Sequence, residues 1–292
     1  MTDIVLVKSA RQGVWGWPAV INFSLGGMGT GCYLIAAMVA SFWVRDAGEI
    51  SLVIVKILSA GLVIAGFLAL TVEAGRPAKS YYLLQGLKHS WMSLESLAGL
   101  LFVVIAILET VFSSGYLQAL ASLAAFIFLI SQCFIVYRAR GIASWNSLNT
   151  FFLFLFSSLS SGAGALFLMS TELAVLPATL LAGSVLLLLN LAVWSLFIFL
   201  ACKPKRTRLA VLISVVQVLP LLLLLPFDAG LSAPAEQQVA SFKLIGFLMI
   251  SASVSQKAIV IKAAGYLREF TFVWPAQDEA QVNREQNKGG SP

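Results

Sequence analysis

Residues 180–201, LLAGSVLLLLNLAVWSLFIFLA, are apolar on every face. About 20 such residues suffice for a helix to cross the hydrocarbon of a bilayer. A membrane barrel would need strands that alternate apolar and polar residues, which this run does not do. The whole chain of 292 residues shares its character: 59% is hydrophobic and 11% charged, with a mean hydropathy of +0.92. That leaves too little polar surface to coat a soluble globule. The expectation is an all-α membrane protein.

Eight apolar stretches long enough to span can be drawn, near 17–43, 51–72, 92–112, 116–137, 147–170, 173–201, 209–226 and 238–262. Eight helices put both termini on the same side of the membrane. Residues 1–270 form the bundle, and 271–292 form a polar tail ending PAQDEAQVNREQNKGGSP, which is too poor in apolar residues to fold alone. No cleavable signal peptide is expected, because the first span opens with WGWPAVINFSLGGMG and lacks a small-residue cleavage site. Lys and Arg gather on one face: Lys8, Arg11, Arg76, Lys79, Lys88, Arg138, Arg140, Lys203, Lys205, Arg206, Arg208, Lys257, Lys262, Arg268, Arg284 and Lys288. Arg45, Lys56 and Lys243 fall on the other. This bias predicts an inner (cytoplasmic) membrane protein with both termini, and the loop after the second helix, in the cytoplasm. The net charge of +6 is spread over short loops, where lipid headgroups explain it, so no nucleic-acid partner is expected.

Glycines and cysteines carry no cofactor signal. SLGGMGTG places Gly27 and Gly31 at the GxxxG spacing that lets another backbone approach closely, and packing is the reading adopted for it. SSGAG at 160–164 has neither the lysine nor the spacing of a phosphate-binding loop. Cys32, Cys133 and Cys202 are far apart and form no CxxC pair, so no metal or iron–sulfur site is expected in this chain. His89 is the single histidine, which excludes a haem held between two histidines. If the chain handles electrons, the remaining lipid-soluble partner is a quinone, menaquinone or ubiquinone.

Charges are dense in TVEAGRPAKSYYLLQGLKHSWMSLESLAG, residues 71–99. Quinol oxidation needs hydrogen-bonding groups at the ring oxygens and an acceptor for its protons. Glu73 closes the second helix at the headgroup boundary and is the candidate proton acceptor, with Arg76 three residues on. Glu95 lies in the first turns of the third helix, on the same side as Trp91. Trp17 and Asn22 come to that level from the first helix, and Arg138 and Trp145 from the end of the fourth. Trp and Tyr at helix ends also fit an ordinary aromatic belt, and Glu73 also fits a simple salt-bridge partner of Arg76. Glu109 and Glu172, near the opposite face, read as solvated helix ends.

VEAGRPAKSYYLL, SWMSLESLAG, VYRARGIASWNS and the glycine-rich WPAVINFSLGGMGTGCY resemble the membrane anchor subunits of complex molybdopterin oxidoreductases. These are the dimethyl sulfoxide reductase anchor family and the related NrfD-like, polysulfide reductase type anchors. The resemblance covers the first five helices. It implies an anchor without cofactors of its own, with a quinone pocket near the loop after the second helix. Electrons would pass between the quinone pool and a ferredoxin-like iron–sulfur subunit with four clusters, and a molybdenum or tungsten catalytic subunit would lie beyond. Glu73 matches the position where some relatives carry a quinol-contacting His, and Glu95 matches the family Glu. The charge bias points to an intracellular substrate such as an acyl-CoA. The rival expectations are a secondary transporter, which would need polar groups lining a path at the midplane, and a passive structural anchor.

Overall fold

The computed structural model describes residues 3–7, 10–42, 49–73, 90–169, 177–201, 204–228, 235–268 and 270–273. Its helices are α1 (Trp17–Phe42), α2 (Glu49–Glu73), α3 (Trp91–Phe112), α4 (Gly115–Tyr137), α5 (Leu148–Met169), α6 (Pro177–Ala201), α7 (Pro204–Asp228) and α8 (Ala235–Ala258). Seven of these hold stretches long and apolar enough to cross a membrane, and α7 has a shorter apolar stretch at Val211–Leu224. The helical membrane architecture expected from composition is therefore present. Proline starts α6 and α7 and is the second residue of α1, where its missing N–H costs nothing.

Helix α1 is the hub, packing on α2, α4, α5 and α8. Its four glycines face α2, α4 and α5, and Gly27 also meets Lys257 of α8. A methyl on Gly26 would lie 2.9 Å from the Phe128 ring of α4, and one on Gly29 would lie 2.6 Å from the Ser59 carbonyl of α2. On the α5 side, a methyl on Gly27 would lie 2.2 Å from Ser158 Oγ, and one on Gly31 would lie 2.5 Å from the Ser158 carbonyl. Gly162 of α5 returns the contact, its Cβ position lying 2.3 Å from the Cys32 amide nitrogen. Small residues on both helices thus bring the two backbones together, as the GxxxG reading expects. Gly164 and Gly246 repeat the arrangement where α5 meets α8.

Helices α3 and α4 are joined by a two-residue turn in which Ser113 adopts φ 41°, ψ 46° and donates its N–H to the Glu109 carbonyl. At the other end of the bundle, α8 runs into a π-helical turn, Ile259–Ala263. The carbonyls freed there are taken by side chains from elsewhere: Val260 by Trp145 Nε1, Ile261 by Gln12 Nε2, Lys262 by Arg11 Nε and Ala264 by Ser144 Oγ. The last carbonyls of a helix have no partner within it, and these side chains supply one. Beyond it, β1 (Asp3–Val7) pairs antiparallel with β2 (Phe270–Val273). The pairing brings together two segments near opposite ends of the sequence. The stretch GYLREFTFVW, which contains β2, has Tyr, Phe and Trp near the end of the last span and by sequence alone fits an interfacial segment or a docking strip, with nothing in it that names this strand partner. Residues 274–292, the rest of the expected tail, lie outside the described residues.

Gly162→Ala should lower the midpoint of thermal unfolding in detergent, because backbone atoms cannot yield to the new methyl; a loss of about 1–3 kcal/mol is expected. Gly61→Ala is the control. No atom lies within 4 Å of its Cβ position, so better helix propensity should leave the midpoint unchanged or raised.

Candidate functional site

One stripe of α3 faces the bundle interior: Glu95, Ala98, Phe102, Ala106 and Glu109 are all buried. Their spacing of three and four residues keeps them on one side of the helix. A carboxyl stands at each end, fourteen residues or about 21 Å apart along the axis. Phe102 and the two alanines between them pack with Phe128, Val63 and Ala125 in an apolar layer.

Glu95 is 3% exposed. Its Oε1 accepts two hydrogen bonds of 3.0 Å, from Asn22 Nδ2 of α1 and from Gln132 Nε2 of α4. Bonds to an acid are among the stronger kinds and offset part of the cost of burying it. Two glycines make room for them. A Cβ at Gly26 would lie 2.9 Å from Gln132 Nε2, and one at Gly66 of α2 would lie 3.1 Å from Asn22 Oδ1. Trp91, one turn before Glu95, stacks on Phe134 with centroids 4.2 Å apart, and Phe134 in turn meets Phe151 and Tyr137 edge-on. A second aromatic group joins Trp15, Trp145, Phe23 and Phe154.

Of the residues expected from sequence, Asn22 and Glu95 are thus brought into direct contact. Gln132, five residues before the end of α4 and with no motif to mark it, completes the cluster. Glu73 is the last residue of α2, seven residues or about 10 Å along the axis from Gly66. Arg76 lies outside the described residues, as do Lys79, Lys88, His89 and Glu172. Trp17 is 60% exposed, and Arg138 is exposed at the C-cap of α4; neither contacts the cluster through any hydrogen bond or ion pair described. Trp145 is buried with its indole N–H committed to the Val260 carbonyl at 2.8 Å. It is a clamp on the end of α8 and not an open aromatic wall.

Three charges differ from their expected roles. Glu109 is not a solvated helix end: it is buried, ion-paired with Lys56 at 3.0 Å and hydrogen-bonded by the Tyr33 hydroxyl. A cavity of about 30 Å³ beside them is lined in part by Gln118 and Val55, space for about one water. Lys56, counted as an orientation charge, is the partner of that acid. Lys257, counted among the charges of the cytoplasmic face, is 1% exposed. Its Nζ donates to the Phe23 carbonyl and to Ser158 Oγ, each at 2.8 Å. It therefore reaches α1 one residue from Asn22, through the space left by Gly27. Loop counting missed both lysines because a charge one or two turns inside a helix end looks like a boundary charge until its neighbours are known. No family model matches the chain, and no curated protein matches it.

Lys56→Met should leave Glu109 buried without its cation and lower stability by about 3 kcal/mol, read as a fall in the unfolding midpoint in detergent. Adding Glu109→Gln should recover most of that loss, since removing both charges removes the uncompensated one.

Proposed function

We propose that the chain is a membrane anchor subunit that exchanges electrons between the quinone pool and an iron–sulfur subunit of a molybdenum or tungsten oxidoreductase. The observation that carries this reading is the buried Glu95 carboxyl, held by amides from two other helices beside an aromatic group that begins at Trp91. An intramembrane acid is functional by default, and a quinone head requires flat aromatic surface, a few hydrogen-bonding groups and a proton acceptor. Glu95 serves as that acceptor and Glu73, farther along α2, as the group that exchanges the proton with the boundary. Arg76 and Arg138 belong to the same end of the bundle in this reading.

The apolar layer of Phe102 and Phe128 between Glu95 and Glu109 favours the anchor over a transporter, because a polar solute would have to cross it. The positive-charge bias supports both termini, with the iron–sulfur partner, in the cytoplasm, and eight spans in an inner membrane. An intracellular substrate of the catalytic subunit, such as an acyl-CoA, suits that orientation.

Purification of the tagged chain in mild detergent, followed by iron, molybdenum and tungsten assays, tests the assignment. Iron with molybdenum or tungsten is the expected result. A metal-free chain, from cells shown to keep such complexes intact, would favour the transporter. In the assembled complex, Glu95→Gln and Glu73→Gln should each lower quinone-linked turnover at least about a hundredfold. Normal turnover in either variant removes that residue from the mechanism.

A further inference from the structure

The two amides that hold Glu95 have their other ends unused. Because Glu95 Oε1 accepts from both, each NH2 group is turned toward it at 3.0 Å. Asn22 Oδ1 and Gln132 Oε1 are therefore turned elsewhere. Both oxygens are buried and neither has a hydrogen-bond partner among the described residues; the side chains are 2% and 1% exposed. Glu95 acts as the proton acceptor in the reading above and is ionised when a quinol arrives, so flipping either amide would set a carbonyl oxygen against a carboxylate oxygen, two acceptors face to face. Buried carbonyl oxygens are rarely left without a donor, and such exceptions call for a ligand or another explanation. What this cluster still has to offer is acceptors.

From this we infer that the Glu95 cluster selects the quinol over the quinone. The inference rests on the quinone reading above. A quinol ring oxygen carries a hydrogen and can donate to an unpartnered amide oxygen or to the carboxyl. A quinone ring oxygen only accepts, and the amide donors of these side chains are already directed at Glu95. A metal cation is a poorer match. The Lys257 amine occupies the neighbouring Phe23 carbonyl, and no group of three or more His, Cys, Asp or Glu gathers among the described residues.

Selectivity has a redox consequence. Oxidation of the quinol releases two electrons and two protons. If the quinol binds tenfold tighter than the quinone, the midpoint potential of the bound couple rises by about 30 mV. The bound quinone is then a stronger electron acceptor than the free pool.

The test is equilibrium binding of the full chain in lipid nanodiscs, without oxygen, using short-tailed ubiquinone and menaquinone, each fully oxidised and fully reduced. For the ring type that binds, the reduced form should bind at least about tenfold tighter. In Glu95→Gln the new amide supplies an N–H, and the ratio should fall to within about threefold. The wild-type ratio decides without any variant. Equal affinities, or tighter binding of the quinone, overturn the selectivity and leave the quinone reading standing. Binding of neither form overturns both. A ratio kept intact in a folded Glu95→Gln variant would overturn the assignment to this cluster.

Discussion

The close crossing of α1 and α5 is the constraint on which the rest of the bundle depends. In a bilayer, two apolar helices gain nothing from excluding lipid tails that are as apolar as they are, so association rests on close packing and interhelical hydrogen bonds. Gly27 and Gly31 meet Ser158 and Gly162 at a distance that leaves no room for a methyl on any of the three glycines. That approach settles where the remaining side chains of α1 come to lie. Asn22 meets α3 and α4, the Phe23 carbonyl meets Lys257 of α8, and Tyr33 meets Glu109 at the far end of α3.

Among the described residues, buried charge is handled in three ways. Glu109 has a cation and a hydroxyl, so its acceptors are met. Lys257 has a carbonyl and a hydroxyl in place of an acid, a neutral setting for an amine that bridges α1, α5 and α8. Glu95 has two donors, but those donors bring two carbonyl oxygens that have no hydrogen-bond partner among the described residues. The first cluster reads as structural, since each group answers another. The third is the one with spare chemistry, and it lies at the end of α3 near the end of α2 that carries Glu73.

The same end of the bundle is tied together by hydrogen bonds between distant segments. Side chains from the segment before α1 and from the α4–α5 connection accept the role of capping α8 through its π-helical turn, and paired strands lie beyond. Trp15 and Trp145, 5.0 Å apart between centroids, pack against Phe23 in the same cluster. A site that must hold a flat ring in register benefits from such backing, because side chains held loosely around a ligand lose their geometry.

The sequence by itself determined that the chain is helical and lives in a membrane, because hydrophobicity and span length are local properties that each segment carries alone. It also marked Asn22 and Glu95, since a polar residue costs so much inside an apolar run that its presence is conspicuous. The GxxxG spacing announced a close crossing but not its partner, which depends on which other helix also offers a small residue at the same height. Tertiary structure alone decided that Gln132 joins Glu95, that Trp145 clamps a helix end, and that Lys56, Glu109 and Lys257 are core groups and not boundary charges. Each of those outcomes depends on where a different helix places its atoms. A charge near a helix end is solvated or buried according to its neighbours, and neighbours from distant segments are not written in local sequence.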